Sequence, residues 1–119
     1  MFEVSVQQTF AAAHNLRGYN GKCERLHGHN YRVEASVEGE QLNEIGLLYD
    51  FVEIRKAMKT VIDKVDHFYL NETPPFDAIN PSAENIAKYF YEEMKALGVP
   101  VRAVRVWETD TAVATYRPK

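Results

Sequence analysis

A single cysteine, Cys23, in 119 residues excludes an internal disulfide. Long apolar runs are missing too, with nothing approaching the roughly 20 residues that cross a bilayer. The segment Met1-Phe2-Glu3-Val4-Ser5 lacks the charged and apolar regions of a signal peptide, so the expected location is the cytoplasm. Basic residues are few: 14 Lys and Arg against 17 Asp and Glu give a net charge of −3, with no long basic run. Such a balance gives no electrostatic reason to expect nucleic acid or an anionic membrane as partner, and an anionic substrate would need a local patch. Internal repeats and low-complexity segments are absent. The length suits one domain over residues 1–119 with a modest core, and 45 % hydrophobic against 26 % charged residues is ordinary for one.

What is present is periodic. Phe2, Val4, Val6, Phe10 and Ala12 alternate with polar or small residues, the period of a strand with one buried face, and His14 falls on the buried phase. From His27 onward, His29, Tyr31, Val33, Ala35 and Val37 share one face while Asn30, Arg32, Glu34, Ser36 and Glu38 share the other. Between them, Arg17-Gly18-Tyr19-Asn20-Gly21-Lys22 reads as a loop, so the two strands are expected to form a long antiparallel hairpin. Asp50 with Glu53 opens a helix whose stripe Ile54, Met58, Val61, Ile62 and Val65 runs out near Asp66. After Pro74-Pro75 and Asn80-Pro81, Ser82 caps a second helix carrying Ile86, Phe90, Met94 and Leu97, which Gly98 and Pro100 stop. Val101 to Tyr116, broken near Thr109-Asp110, reads as a second hairpin. The expected class is α+β in the order strand, strand, helix, helix, strand, strand.

Three of the four histidines, His14, His27 and His29, therefore extend apolar faces at one end of the first hairpin. An H-x-H pair on a strand sends both imidazoles the same way, and three imidazoles on a tetrahedral Zn2+ ion leave one position open, the arrangement of a catalytic site. The bland alternative, hydrogen-bonded core histidines, does not account for three in phase. Cys23 has three readings: an inert thiol, a fourth ligand closing a structural zinc site, or a thiolate beside an open one. Its polar loop disfavours the first. Asp66-His67 is either a charged helix cap or an aspartate-oriented imidazole for acid/base work. Glu108, in phase with Val104 and Val106, is either a surface strand-end residue or an inward carboxylate suited to a ring edge with adjacent N–H donors.

Several strings, in order and across nearly the whole chain, resemble the 6-pyruvoyltetrahydropterin synthase family. They are Phe10-Ala11-Ala12-Ala13-His14, Cys23-Glu24-Arg25-Leu26-His27-Gly28-His29-Asn30-Tyr31, Asp66-His67, Asn80-Pro81-Ser82-Ala83-Glu84-Asn85 and Trp107-Glu108-Thr109. Within that family the match is to the bacterial 6-carboxy-5,6,7,8-tetrahydropterin synthases of the queuosine pathway, because three residues separate Cys23 from the HGH run, where the pyruvoyl enzymes commonly have a longer spacer.

The resemblance implies a tunnelling fold: an antiparallel sheet with two helices on one face, assembled into rings whose sheets form a barrel, and two trimers stacked as a homohexamer with active sites at subunit interfaces. It assigns zinc to His14, His27 and His29, base duty to Cys23, a proton relay to Asp66 and His67 reaching in from a neighbouring subunit, and pterin anchoring to Glu108 with Thr109 beside it. The implied substrate is 7,8-dihydroneopterin triphosphate, cleaved to a carboxytetrahydropterin with loss of acetaldehyde and triphosphate. Two other activities stay open: pyruvoyl synthesis without side-chain cleavage, and a non-catalytic zinc protein in which Cys23 joins the histidines. Glu24 follows Cys23 directly, and a related folate-precursor branch uses a glutamate in place of the cysteine, which leaves a second cleavage activity open, while Arg17, Lys22 and Arg25 receive no role.

Overall fold

The computed structural model describes residues 1–119. Strands β1 (Phe2–His14) and β2 (His27–Gly39) form the long hairpin, followed by helices α1 (Phe51–Ile62) and α2 (Ala83–Ala96) and the hairpin of β3 (Ala103–Thr109) and β4 (Ala112–Tyr116). The strands lie in the order β1-β2-β3-β4, every neighbour antiparallel. Unbroken register runs from Phe2 opposite Gly39 to His14 opposite His27, so the alternation read in each strand falls on one shared face. Strands of 13 residues at ~3.4 Å per residue account for about 44 Å of the 52 Å long axis.

Both helices pack on that face. Phe10 stacks between Tyr31 and Phe90, with ring centroids 4.9 and 5.6 Å apart, and Ile54, Met58, Val61, Ile86 and Met94 close over Val33, Ala35, Val104 and Val106. Each such side chain contributes about 1.5–3 kcal/mol when fully buried. The opposite face is polar and uncovered, with Gln7 bonded to Glu34 at 2.8 Å and the Arg32 guanidinium over Trp107 at 4.4 Å.

The caps follow the sequence reading: the Asp50 carboxylate accepts from the Val52 N–H, the Ser82 hydroxyl from the Asn85 N–H, and Gly98 takes a φ of +97° that L side chains rarely adopt. The first helix ends earlier than expected, at Ile62 instead of near Asp66. Residues 63–67 continue as tight turns, with Lys64 N–H to Val61 and Val65 N–H to Ile62, until His67 turns the chain with a φ of +65°. The segment then runs along the outer edge of β1: the His67 N–H donates to Ala11, the Ala13 N–H to Phe68, and Tyr69 bridges Ala13 in parallel.

Candidate metal centre and flanking acid/base pair

At the loop end of the first hairpin the register places His14 opposite His27, with His29 two residues further on the same face. His14 is fully buried; its Nδ1 lies 2.7 Å from the Pro81 carbonyl and 3.0 Å from the Tyr31 hydroxyl. The His27 Nδ1 lies 2.6 Å from the Arg25 carbonyl. A carbonyl can only accept, so both Nδ1 atoms carry the proton and both Nε2 atoms present lone pairs. Those two Nε2 atoms face each other at 3.0 Å. Two acceptors so close repel unless a cation lies between them, and nitrogens at ~2.05 Å from a tetrahedral zinc stand about 3.3 Å apart.

The third imidazole completes the set. The buried His29 Nε2 lies 2.8 Å from Glu108 Oε1 but not in line for a hydrogen bond, which leaves it without a satisfying partner. The same oxygen is 3.7 Å from the His14 Nε2. All four ligand atoms, from His14, His27, His29 and Glu108, lie within 4.8 Å of one another. Burial lowers the pKa of His14 and of His29, keeping both rings neutral at pH 7, the form a metal needs. The donor set and the orphaned nitrogens fit a divalent ion such as Zn2+, held by the three imidazole nitrogens with the Glu108 carboxylate alongside.

Cys23 stands apart from this set. It lies half-buried in the short 3-10 turn Lys22–Glu24, tied to the other side of the loop where its carbonyl accepts the Leu16 N–H at 2.6 Å. Its sulfur is not among the converging ligand atoms. Glu108 is half-buried with its carboxylate turned toward His29 and His14, in phase with the buried Val104 and Val106. Thr109 is exposed, past a register shift between Trp107 and Thr109.

Asp66 and His67 form their own pair on the flank of β1. The Asp66 carboxylate accepts the Ala11 N–H at 2.9 Å and lies 3.0 Å from His67 Nδ1; the backbone bond is the largest cause that holds its pKa below the usual carboxylate value, with His67 adding to it. It is thus a strand-edge anchor and not a helix cap. The His67 side chain is 80 % exposed, and its left-handed backbone costs about 1–3 kcal/mol in a residue without glycine's freedom. Beside it opens a hollow of about 440 Å³ lined by Ala11–Ala13, Gly28–Asn30 and His67–Tyr69.

Sequence reasoning missed the backbone carbonyls of Pro81 and Arg25, which fix two tautomers, and the Tyr31 hydroxyl beside His14. It also missed four asparagines. The Asn15 N–H donates to Asn71, whose amide returns a bond to the Asn15 carbonyl; Arg17 and Asn80 make the same reciprocal pair; and Asn85 donates to the Asn80 carbonyl. Asn80 and Asn85 stand in a run that carries the resemblance, with no role attached, and Asn15 and Asn71 give no signal.

The family model described as 6-pyruvoyl tetrahydropterin synthase matches residues 3–119. The chain is similar to a 6-carboxy-5,6,7,8-tetrahydropterin synthase of Synechocystis, 33 % identical with 98 % of this chain and 93 % of that one covered. It is also similar to a 6-pyruvoyl tetrahydrobiopterin synthase of Dictyostelium discoideum, 32 % identical over 82 % of this chain and 74 % of that one. The solved structure of Caenorhabditis elegans 6-pyruvoyl tetrahydropterin synthase superposes with a TM-score of 0.91 at 29 % identity, covering 99 % of this chain and 96 % of that one.

Proposed function

The chain belongs to the 6-pyruvoyl tetrahydropterin synthase family, and from that premise we propose that it is a lyase converting 7,8-dihydroneopterin triphosphate to 6-carboxy-5,6,7,8-tetrahydropterin, with release of acetaldehyde and triphosphate, in queuosine and related 7-deazapurine biosynthesis. The observation that carries this reading is the separation of Cys23 from the four converging ligand atoms, which leaves a thiol free to act as a base. The short spacing from Cys23 to His27 and the names of bacterial relatives favour the carboxy product. Likeness to the nematode structure keeps the pyruvoyl product as the second reading.

His14, His27 and His29 would hold Zn2+ through Nε2. Bound there, the metal supplies Lewis acidity that lowers the pKa of substrate side-chain hydroxyls and stabilises negative charge on their oxygens. Cys23 removes a proton from the side chain next to the pterin ring. Asp66, ionised at neutral pH, keeps His67 Nδ1 protonated and leaves Nε2 to take up and return protons. Glu108 accepts from adjacent N–H groups of the pterin, with Thr109 at the rim. The solvent-facing His67 then serves a neighbouring subunit of a homohexamer built from two trimeric rings, for which the uncovered polar sheet face and the β4 edge are the natural joining surfaces. No helix is long and apolar enough to cross a membrane, and the proposed setting is the cytoplasm.

Cys23→Ala tests the assignment. Zinc content should stay at the wild-type level while turnover falls by about 10²–10⁴-fold, the scale of a lost general base. Loss of zinc together with activity would instead make Cys23 a ligand and the site a closed one.

A further inference from the structure

We propose that Asn80, with Arg17 and Asn85, forms a clamp that positions the Pro81 carbonyl and thereby holds His14 in its metal-ready tautomer; the inference rests on the zinc reading above. Residues 80–82 belong to no helix or strand, so no ladder fixes the Pro81 carbonyl. Proline fixes its own φ but offers no N–H, which leaves its placement to the neighbours. Asn80 supplies that placement. Its Oδ1 accepts the Arg17 N–H at 3.0 Å and its Nδ2 donates to the Arg17 carbonyl at 2.8 Å, as a paired strand residue would. On the other side, the Asn80 carbonyl accepts from Asn85 Nδ2 at 2.9 Å, on the first turn of α2 that Ser82 caps. The Arg17 guanidinium adds a bond to the Phe76 carbonyl at 2.9 Å.

The consequence lies in the choice open to His14. Its Nδ1 has two neighbours, the Pro81 carbonyl at 2.7 Å and the Tyr31 hydroxyl at 3.0 Å. The carbonyl can only accept, which forces the proton onto Nδ1 and frees Nε2 for the metal. The hydroxyl can also donate. With the carbonyl displaced, Tyr31 can donate to Nδ1 and move the ring proton to Nε2, where it blocks coordination. Asn80 is thus a positioning residue: it touches neither metal nor substrate but selects which nitrogen of His14 is available.

The test is zinc affinity of the purified full-length protein, measured by chelator competition and by the visible spectrum of the cobalt(II)-substituted form. Groups that orient metal ligands typically govern 10–100-fold in affinity, and Asn80→Ala and Asn85→Ala should each lose on that order with an altered cobalt spectrum. Asn43→Ala provides the comparison, since its Oδ1 accepts from Ile45 and Leu47 in a remote loop, and it should bind zinc as wild type does. Adding Tyr31→Phe to Asn80→Ala should recover part of the affinity by removing the competing donor. Wild-type affinity in both clamp variants, or an affinity loss untouched by Tyr31→Phe, overturns the proposal. A wild-type protein with no zinc affinity would overturn the metal reading itself.

Discussion

Alanine at His14 and at His27 removes the same kind of ligand but should cost the metal-free protein different amounts. His14 is fully buried and holds both the Pro81 carbonyl and the Tyr31 hydroxyl. Truncating it orphans a buried carbonyl, about 1–3 kcal/mol, and opens a cavity among Tyr31, His27, His29 and Pro81, for a total near 3 kcal/mol on the scale of large-to-small core changes. At ~4 °C per kcal/mol for a domain of this size, Tm should fall by about 12 °C. His27 is only partly buried and makes one bond, to Arg25. Its loss is worth about 1 kcal/mol at most, and removing one of two facing lone pairs offsets part of that. Zinc at a hundredfold excess over Kd stabilises by about 2.7 kcal/mol, near 10 °C, and both variants should forfeit this shift. Calorimetry with and without zinc, at one fixed protomer concentration, separates the effects. Equal metal-free Tm values, or a full zinc shift in His27→Ala, would refute the account of the cluster.

Glu108→Gln should leave zinc content unchanged and lower kcat/KM by roughly 10- to 150-fold, the worth of a charge-assisted hydrogen bond to the pterin. Asp66→Asn should slow turnover by about 10²-fold, because the amide oxygen can still accept from the Ala11 N–H and from His67 Nδ1 but no longer carries the charge that makes the imidazole a stronger base. The same substitution should change the pH dependence of stability. The folded pKa of Asp66 is depressed, so its contribution is present at neutral pH and lost as the pH falls below about 4 and through the folded value; the urea midpoints of wild type and variant should therefore differ at pH 7 and draw together as the solution is acidified below that point. Inactive Cys23→Ala and His67→Ala chains, dissociated and reassembled together, should regain part of the activity if His67 serves a neighbouring subunit. Mixed oligomers that stay inactive would place the relay within one chain.

What the sequence disclosed was whatever repeats locally. The period-2 phase of His14, His27 and His29 fixed the face they share, and the capping residues Asp50 and Ser82 marked both helix starts because a cap is a bond within one turn. Long-range backbone pairings were illegible. Nothing in Asp66-His67 says that the segment will bond to Ala11, yet that pairing, with a left-handed His67, explains why α1 stops at Ile62 and the His67 side chain faces outward. Likewise Pro81 showed itself only as part of the connection before the second helix and of a run that carried the resemblance; its carbonyl against His14 spans 67 residues of sequence. Phase left Glu108 open between a surface and an inward position, and its contact with His29 depends on how far β3 runs past β2, a matter of register.

The most direct test of the central claim is to incubate the zinc-loaded protein with 7,8-dihydroneopterin triphosphate, identify the pterin product by mass and assay acetaldehyde. The account predicts 6-carboxy-5,6,7,8-tetrahydropterin with acetaldehyde. A pyruvoyl product without acetaldehyde, or no turnover by the metal-replete protein, would contradict it.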